Sequence, residues 1–307
     1  MSENSIASAQ QSEFRAAGTD LSERRRSGVS RGQVIDLARP SGSRDIEWDA
    51  DGAARISAFA TIASIATDAR LGAAYPGLAA AAAGLATPQI RYVATIGGNL
   101  AQRSRCWYYR DPQIYCLKKG GSSCPAREGN HLYGVAFDLG PCIAPHPSTL
   151  AAALMAYDAA VTTNLRTSLT ISQLLGDGSN GSADHALQQG EIVESIGLGA
   201  PVVNERALYR RATSRSHAEW PLVEIVLRAV IADRTFKLVR IVAGGVAPVP
   251  LRLADAESAA QGTAVNAATI ADVVRRSTAG AKPLPMTVYK LDLLRGLVRD
   301  LLERISA

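Results

Sequence analysis

The chain has 307 residues, 47% hydrophobic and 20% charged, with a formal charge of +5. It is long enough for two domains around substantial cores, and no charge-free apolar run reaches the ~20 residues of a membrane-spanning helix. The basic residues are scattered except for Arg24-Arg25-Arg26, with no aromatic residues interleaved, so nucleic acid is not an expected partner.

Residues 1–12 are polar and small and read as a flexible arm, with structure beginning near Phe14. No basic segment followed by an apolar core opens the chain, so cytoplasmic residence is the default expectation, export to the periplasm requiring a partner that carries a signal. Short strands are expected at Val34–Leu37 and Ala54–Ala58, the latter running into a helix. Residues 73–86, rich in alanine, predict a buried helix that Pro88 ends. Arg91–Asn99 reads as a strand broken at Gly97-Gly98, where a positive φ or close contact with a ligand becomes possible.

The stretch from Pro147 to Thr163 predicts a helix N-capped by Ser148 or Thr149, then a strand. Residues 176–185, GDGSNGSADH, have the composition of a linker, and a domain boundary is expected there. Beyond it come strand-like and apolar stretches, and two amphipathic helices near 255–277 and 288–305. Strands and helices mix without a regular βαβ repeat, which predicts an α+β class.

Two small-residue turns, Ala16–Asp20 and Ala94–Asn99, each bring backbone N–H groups and a hydroxyl where a phosphate fits, although either one taken alone reads first as an ordinary tight turn. Neither is G-x-G-x-x-G, so a nicotinamide-binding fold is not supported. All four cysteines, Cys106, Cys116, Cys124 and Cys142, fall in one stretch, with nine, seven and seventeen residues between them. No CxxC pair is present, which disfavours structural zinc. Their cationic surroundings favour thiolates; an iron–sulfur cluster, free thiols and disulfides all stay open from the residues alone.

Ordered motifs then bring a family into view. Ala17-Gly18-Thr19-Asp20 and Thr95-Ile96-Gly97-Gly98-Asn99 resemble the two pyrophosphate loops of the FAD-binding subunit of the molybdenum hydroxylases, the xanthine dehydrogenase group. The resemblance continues through Pro88–Arg91, His146-Pro147-Ser148, Gly190-Glu191-Ile192, Tyr209-Arg210-Arg211, Gly244–Pro248 and Tyr289-Lys290. The cysteine-rich insert resembles that of the FAD/[4Fe–4S] subunit of bacterial aldehyde oxidoreductases.

The resemblance implies an FAD-binding domain of the vanillyl-alcohol-oxidase (PCMH) type, with two α/β subdomains, over 13–180, interrupted by the insert at about 100–144. A smaller α+β domain like that of CO dehydrogenase flavoproteins follows over 185–307. It implies FAD contacts at Ala16, Ala17, Gly18, Thr19, Asp20 and Leu21 and, around the second loop, at Ala86, Ile90, Ala94, Thr95, Gly97, Gly98, Asn99 and Gln102. Ser148, Thr149, Ile192 and Arg210 complete the implied set, Arg210 as a cation near the flavin ring. Cys106, Cys116, Cys124 and Cys142 would ligate one [4Fe–4S] cluster. Trp107, Tyr108 and Tyr109 read either as its shield or as plain packing.

The chain departs from the family in three places. It has some twenty fewer residues before the first loop, Ala17 stands where glycine is usual, and Thr149 stands where aspartate is usual. The implied role is electron output: a large molybdenum-cofactor subunit oxidises an aldehyde or N-heterocycle, a small subunit with two [2Fe–2S] clusters relays electrons, and FAD here passes them to an external acceptor. The chain has no residues of its own for oxidising the organic substrate. Alternatives are the flavin subunit of a hydroxybenzoyl-CoA reductase-like enzyme and a non-catalytic scaffold subunit.

Overall fold

The computed structural model describes residues 12–42, 44–216 and 218–307. The expected N-terminal arm therefore lies almost wholly outside the described residues.

A small parallel ribbon, β1 (Glu13–Arg15) and β2 (Val34–Asp36), encloses α1 (Leu21–Arg26). A five-stranded antiparallel sheet follows in the order β3-β4-β7-β5-β6, built from Ile46–Trp48, Ala54–Ser57, Val193–Leu198, Ala160–Thr163 and Leu169–Thr170. Against it lie α2 (Ile62–Thr67), α3 (Ala69–Ala74), α4 (Pro76–Gly84), α5 (Pro88–Val93), α6 (Ile96–Leu100), and, after α7 (Trp107–Arg110) in the cysteine insert, α8 (Thr149–Ala156) and α9 (Ile171–Leu175). These are the two α/β subdomains of the first domain.

The second domain is a four-stranded antiparallel sheet, β11-β10-β9-β8, made from β8 (Glu205–Ala212), β9 (Val223–Ala232), β10 (Thr235–Gly244) and β11 (Leu251–Arg252). Its helices are α10 (Ala254–Ala260), α11 (Ala267–Arg276) and α12 (Tyr289–Ser306). In α12 the buried positions Leu294, Val298, Leu301, Leu302 and Ile305 follow the helical period and seal one face of the sheet. The alanine-rich α4 and α8 cover the other face, because small side chains let helix and strand backbones come close: a Cβ on Gly77 would stand 3.3 Å from Val226.

Four expectations are corrected. Residues 73–86 do not form one helix: the chain breaks at Tyr75, Pro76 starts α4, and α4 ends at Gly84. Pro88 opens α5 instead of ending its predecessor, as its fixed φ suits a first helical position. Arg91–Asn99 is not a strand, because Thr87 and Thr95 each accept a backbone N–H, from Ile90 and Gly98, and cap two short helices. Nor is 255–277 a single helix; it parts at Gln261–Asn266 into α10 and α11.

The expected boundary near 180–185 also moves. β7 lies beyond it yet pairs with both β4 and β5, so the first sheet extends to Leu198 and the crossover to the second lies between Leu198 and Glu205.

Candidate functional site

The first turn and the second loop meet at one cleft. Gly18 enters α1 at φ +74°, with Arg15 and Ser22 atoms 3.1 Å from where a Cβ would stand, so only glycine turns the chain here. That turn presents Thr19 and Asp20 to the cleft. Gly97 packs against the end of β4: a Cβ would lie 2.8 Å from the Ala58 Cβ and 3.0 Å from its carbonyl oxygen. This contact lays α6 along the cleft and leaves the neighbouring Gly98 exposed in its wall.

Ala86 adopts φ 49°, unusual for alanine, and the Arg91 guanidinium holds it there by donating to the carbonyls of Leu85 and Ala86 at 2.8 Å each. Below, the Ser148 hydroxyl caps α8, accepting from the Ala151 amide, and donates to Asn99 Oδ1 at 2.6 Å. Gln102 Nε2 donates to the carbonyls of Asn99 and Pro147.

Thr19, Asp20, Ala86, Ile90, Ala94, Gly98, Asn99, Gln102 and Thr149 thus share one cleft. Ala16, Ala17, Gly18, Leu21, Thr95, Gly97 and Ser148 do not line it; of these, Gly18 makes the first turn, Thr95 and Ser148 cap the two helices beside the cleft, and Gly97 packs α6 on β4. Two of the expected residues are displaced. Ile192 lies outside the cleft, its amide donating to Asn164 Oδ1 at 2.9 Å. Arg210 is half-exposed on the opposite face of β8, paired with Asp300 of α12 at 3.2 Å. Strand alternation turns the next residue inward, and Arg211 lines the cleft instead.

Sequence reading missed Arg105, Arg211 and Trp220, all of which line the cleft. Arg105 sits in the cleft wall, 3.0 Å from Asp20 and 3.3 Å from Glu23, with its guanidinium carbon 4.5 Å from the Trp220 ring. Burial opposes the charge on Asp20, but Arg105, Arg110 and Arg24 outweigh it and hold the carboxyl below its ordinary value. Glu224 is buried, which raises its pKa, while the Tyr209 and Thr149 hydroxyls partly compensate; Tyr209 donates to it at 2.8 Å. The donor chemistry suits a dinucleotide: two guanidiniums for phosphates, Thr, Asn and Gln groups for hydroxyls, and Ile62, Leu85 and Ile90 for a ring.

The insert packs beside this cleft. Arg110 pairs with Asp20 at 2.7 Å and with Glu23, while Arg103 and Lys118 both clasp the buried Asp184, at 2.5 and 2.8 Å. All four cysteines are free thiols, Cys116 and Cys142 buried, Cys106 and Cys124 half-buried. Cys142 hydrogen-bonds to the Cys124 sulfur, which also faces the backbone amides of Ile143, Ala126 and Arg127; together these lower its pKa to about 5. Burial raises Cys106, against backbone amides of Tyr109 and Tyr108, and its sulfur senses Cys124 and Cys116. The donor chemistry suits a thiolate-bound cluster. Among the described residues, however, no three His, Cys, Asp or Glu side chains stand in an arrangement that holds a metal ion.

No helix among the described residues is long and apolar enough to cross a membrane. Residues 4–201 match the family described as the FAD binding domain in molybdopterin dehydrogenase, and residues 207–305 match the CO dehydrogenase flavoprotein C-terminal domain. The chain is 30% identical over 301 residues to the Escherichia coli (strain K12) aldehyde oxidoreductase FAD-binding subunit PaoB, covering 96% of this chain and 91% of that one. Reconstituted CO dehydrogenase from Oligotropha carboxidovorans has the same fold, with a TM-score of 0.74 at 17% identity over 96% of this chain and 90% of that one. Quinoline 2-oxidoreductase from Pseudomonas putida 86 gives 0.73 at 15% identity, over 96% and 89%. With two family domains end to end and the cleft between them, the chain belongs to the oxidoreductase FAD-binding subunits of the molybdenum hydroxylase family, and FAD is its cofactor.

Proposed function

We propose that this chain is the electron-output subunit of a three-subunit molybdenum enzyme that oxidises an aldehyde or an N-heterocycle. A large molybdenum-cofactor subunit would carry out the oxidation, and a small subunit with two [2Fe–2S] clusters would feed electrons to this chain. Cys106, Cys116, Cys124 and Cys142 would hold a [4Fe–4S] cluster. The observation that carries the reading is the position of the insert: Cys106 directly follows Arg105, which lines the flavin cleft, so a cluster on the insert would adjoin the flavin. The free thiols and the backbone amides facing Cys106 and Cys124 support the cluster, because N–H groups stabilise sulfur that carries negative charge. Likeness to an aldehyde oxidoreductase subunit supports an aldehyde as the substrate.

In this reading Arg105 and Arg211 balance the diphosphate charge, Thr19, Asn99 and Gln102 orient the cofactor, and Asp20 fixes Arg105 and Arg110 between cofactor and insert. When bound, FAD exchanges single electrons for pairs, and a cluster carries one at a time. The test is the complex co-expressed with its genomic neighbours and purified without oxygen, with iron and flavin quantified on this chain. About four irons and one FAD per chain are expected. Flavin without iron, in a complex that still oxidises aldehydes, would remove the cluster from the proposal. Absence of a molybdenum subunit from the purified complex would remove the electron-output role.

A further inference from the structure

Glu224 stands in a row that crosses three strands. It pairs in register with Arg211 on β8 and with Gly244 on β10, so the three positions share one side of the sheet. A Cβ on Gly244 would stand 2.7 Å from Glu224 Cγ and closer still to Oε1, so the glycine leaves the room that this carboxyl fills. Glu224 is 1% exposed. Its carboxylate is met by two hydroxyls, that of Tyr209 at 2.8 Å and that of Thr149, and among the described residues the charge that offsets its burial is Arg211.

Arg211 is the link between this carboxyl and the cleft. It lines the cleft, its Nη1 donates to the Glu219 carbonyl at 3.4 Å, and it pairs with no carboxylate among the described residues. The other titratable groups around Glu224 are engaged elsewhere or uncharged. The Glu219 carboxylate accepts the Arg215 amide at 3.0 Å, and Lys290 of α12 donates to the carbonyls of Gly245 and Tyr133. Burial keeps His146 neutral, and Tyr209, whose ring packs on Gly84 of α4, is held protonated by burial and by Glu224 itself.

A buried carboxylate keeps its charge only while an opposite charge stands near it. FAD brings the negative charge of its diphosphate into the cleft, where Arg211 is one of the two guanidiniums that meet it. We propose that FAD binding is coupled to proton uptake at Glu224: the cofactor claims the positive charge of Arg211, and the buried carboxylate, left without it, binds a proton from solvent. The surroundings suit either form of the carboxyl, because the Tyr209 and Thr149 hydroxyls both donate and accept. The sign follows from linkage. Affinity for FAD is highest where Glu224 is already protonated in the free chain, falls as pH rises through the window between its free and loaded titrations, and is flat on either side. The inference rests on the reading in which Arg211 balances the diphosphate.

The test is calorimetric titration of FAD into the purified full chain freed of flavin, in two buffers of unlike ionisation enthalpy, across the pH range in which the chain stays folded. The difference in heat between buffers counts the protons taken up. The wild-type chain should take up as much as about one proton per FAD, and its affinity should fall by up to about tenfold per unit of pH within the window, the limit for one linked proton. Glu224→Gln, which keeps an oxygen to accept the Tyr209 hydroxyl, should take up none and lose that pH dependence. Arg211→Gln tests the link from the half-buried side of the row. With the counter-charge already gone, Glu224 should be protonated before FAD arrives, so uptake should vanish while binding weakens. No uptake by the wild-type chain at any pH, or uptake that survives in Glu224→Gln, would overturn the proposal. Uptake unchanged in Arg211→Gln would overturn it as well, even where Glu224→Gln fails to fold. Unchanged FAD affinity in Arg211→Gln would overturn the placement of the diphosphate and the link with it, whereas weakened binding there beside a wild-type chain that takes up no proton would overturn this inference alone.

Discussion

Arg210 and Arg211 are neighbours in the chain and face opposite sides of β8, one paired with Asp300 and the other lining the cleft between the domains. Motif matching locates the pair but not the inward member, because that depends on which face of the strand is covered. Arg211→Gln should weaken FAD binding about tenfold, the order of one charge-assisted contact, whereas Arg210→Gln should leave it unchanged; flavin fluorescence titration of the two variants measures the contrast. Gly97 carries a sharper constraint. A methyl there meets the Ala58 Cβ at 2.8 Å and the Ala58 carbonyl oxygen at 3.0 Å, neither of which can swing away. Gly97→Ala should cost about 1–3 kcal/mol by overpacking, seen as a lower thermal midpoint; an unchanged midpoint would show that β4 and α6 part easily. The glycine was legible in the sequence as a point of close approach, but the approaching group is the protein's own β4.

At the scale of elements, the segment 176–185 has linker composition and is nonetheless a packed clamp. A Cβ on Gly181 would lie 2.8 Å from Pro141 and 2.9 Å from Leu117, both in the insert, and Asp184 binds Arg103 and Lys118. Glycine and serine are chosen here for lack of bulk, which composition cannot distinguish from freedom of movement. Burial resists the charge on Asp184, but Arg103 and Lys118 prevail and depress its pKa. A carboxyl depressed on folding stabilises above its unfolded value of 3.8 and loses that contribution as pH falls below it. Hydrogen exchange across 103–120 should therefore accelerate in acid, starting near that value. Asp184→Asn should abolish this pH dependence and cost about 1–3 kcal/mol at neutral pH, by leaving two buried cations facing a neutral amide. Exchange with the same acid dependence in the variant would show that the clamp lies elsewhere.

Across the whole molecule, the insert is shared between domains. Phe137 and Ala136 belong to the second domain's core, and their amides donate to the Val246 carbonyl at 3.0 and 2.8 Å. Arg228 of β9 pairs with Glu205 at 2.6 Å and lies 4.1 Å over the Tyr157 ring of the first domain. With α4 and α8 packed on the second sheet as well, calorimetry should record one unfolding transition. Phe137→Ala should shift that transition down, with a cost of about 3–5 kcal/mol, without splitting it; two separate transitions would show that the domains fold independently. From the sequence alone came the α+β class, the two glycine turns, the Ser148 cap, the cysteine-rich insert and, through ordered motifs, the family, all of which depend on residues near one another in the chain. Tertiary structure alone decided the extension of the first sheet to Leu198, the inward turn of Arg211 and the role of Asp184, because each is set by contacts between residues far apart in sequence, where strand pairing and burial choose among locally equivalent side chains.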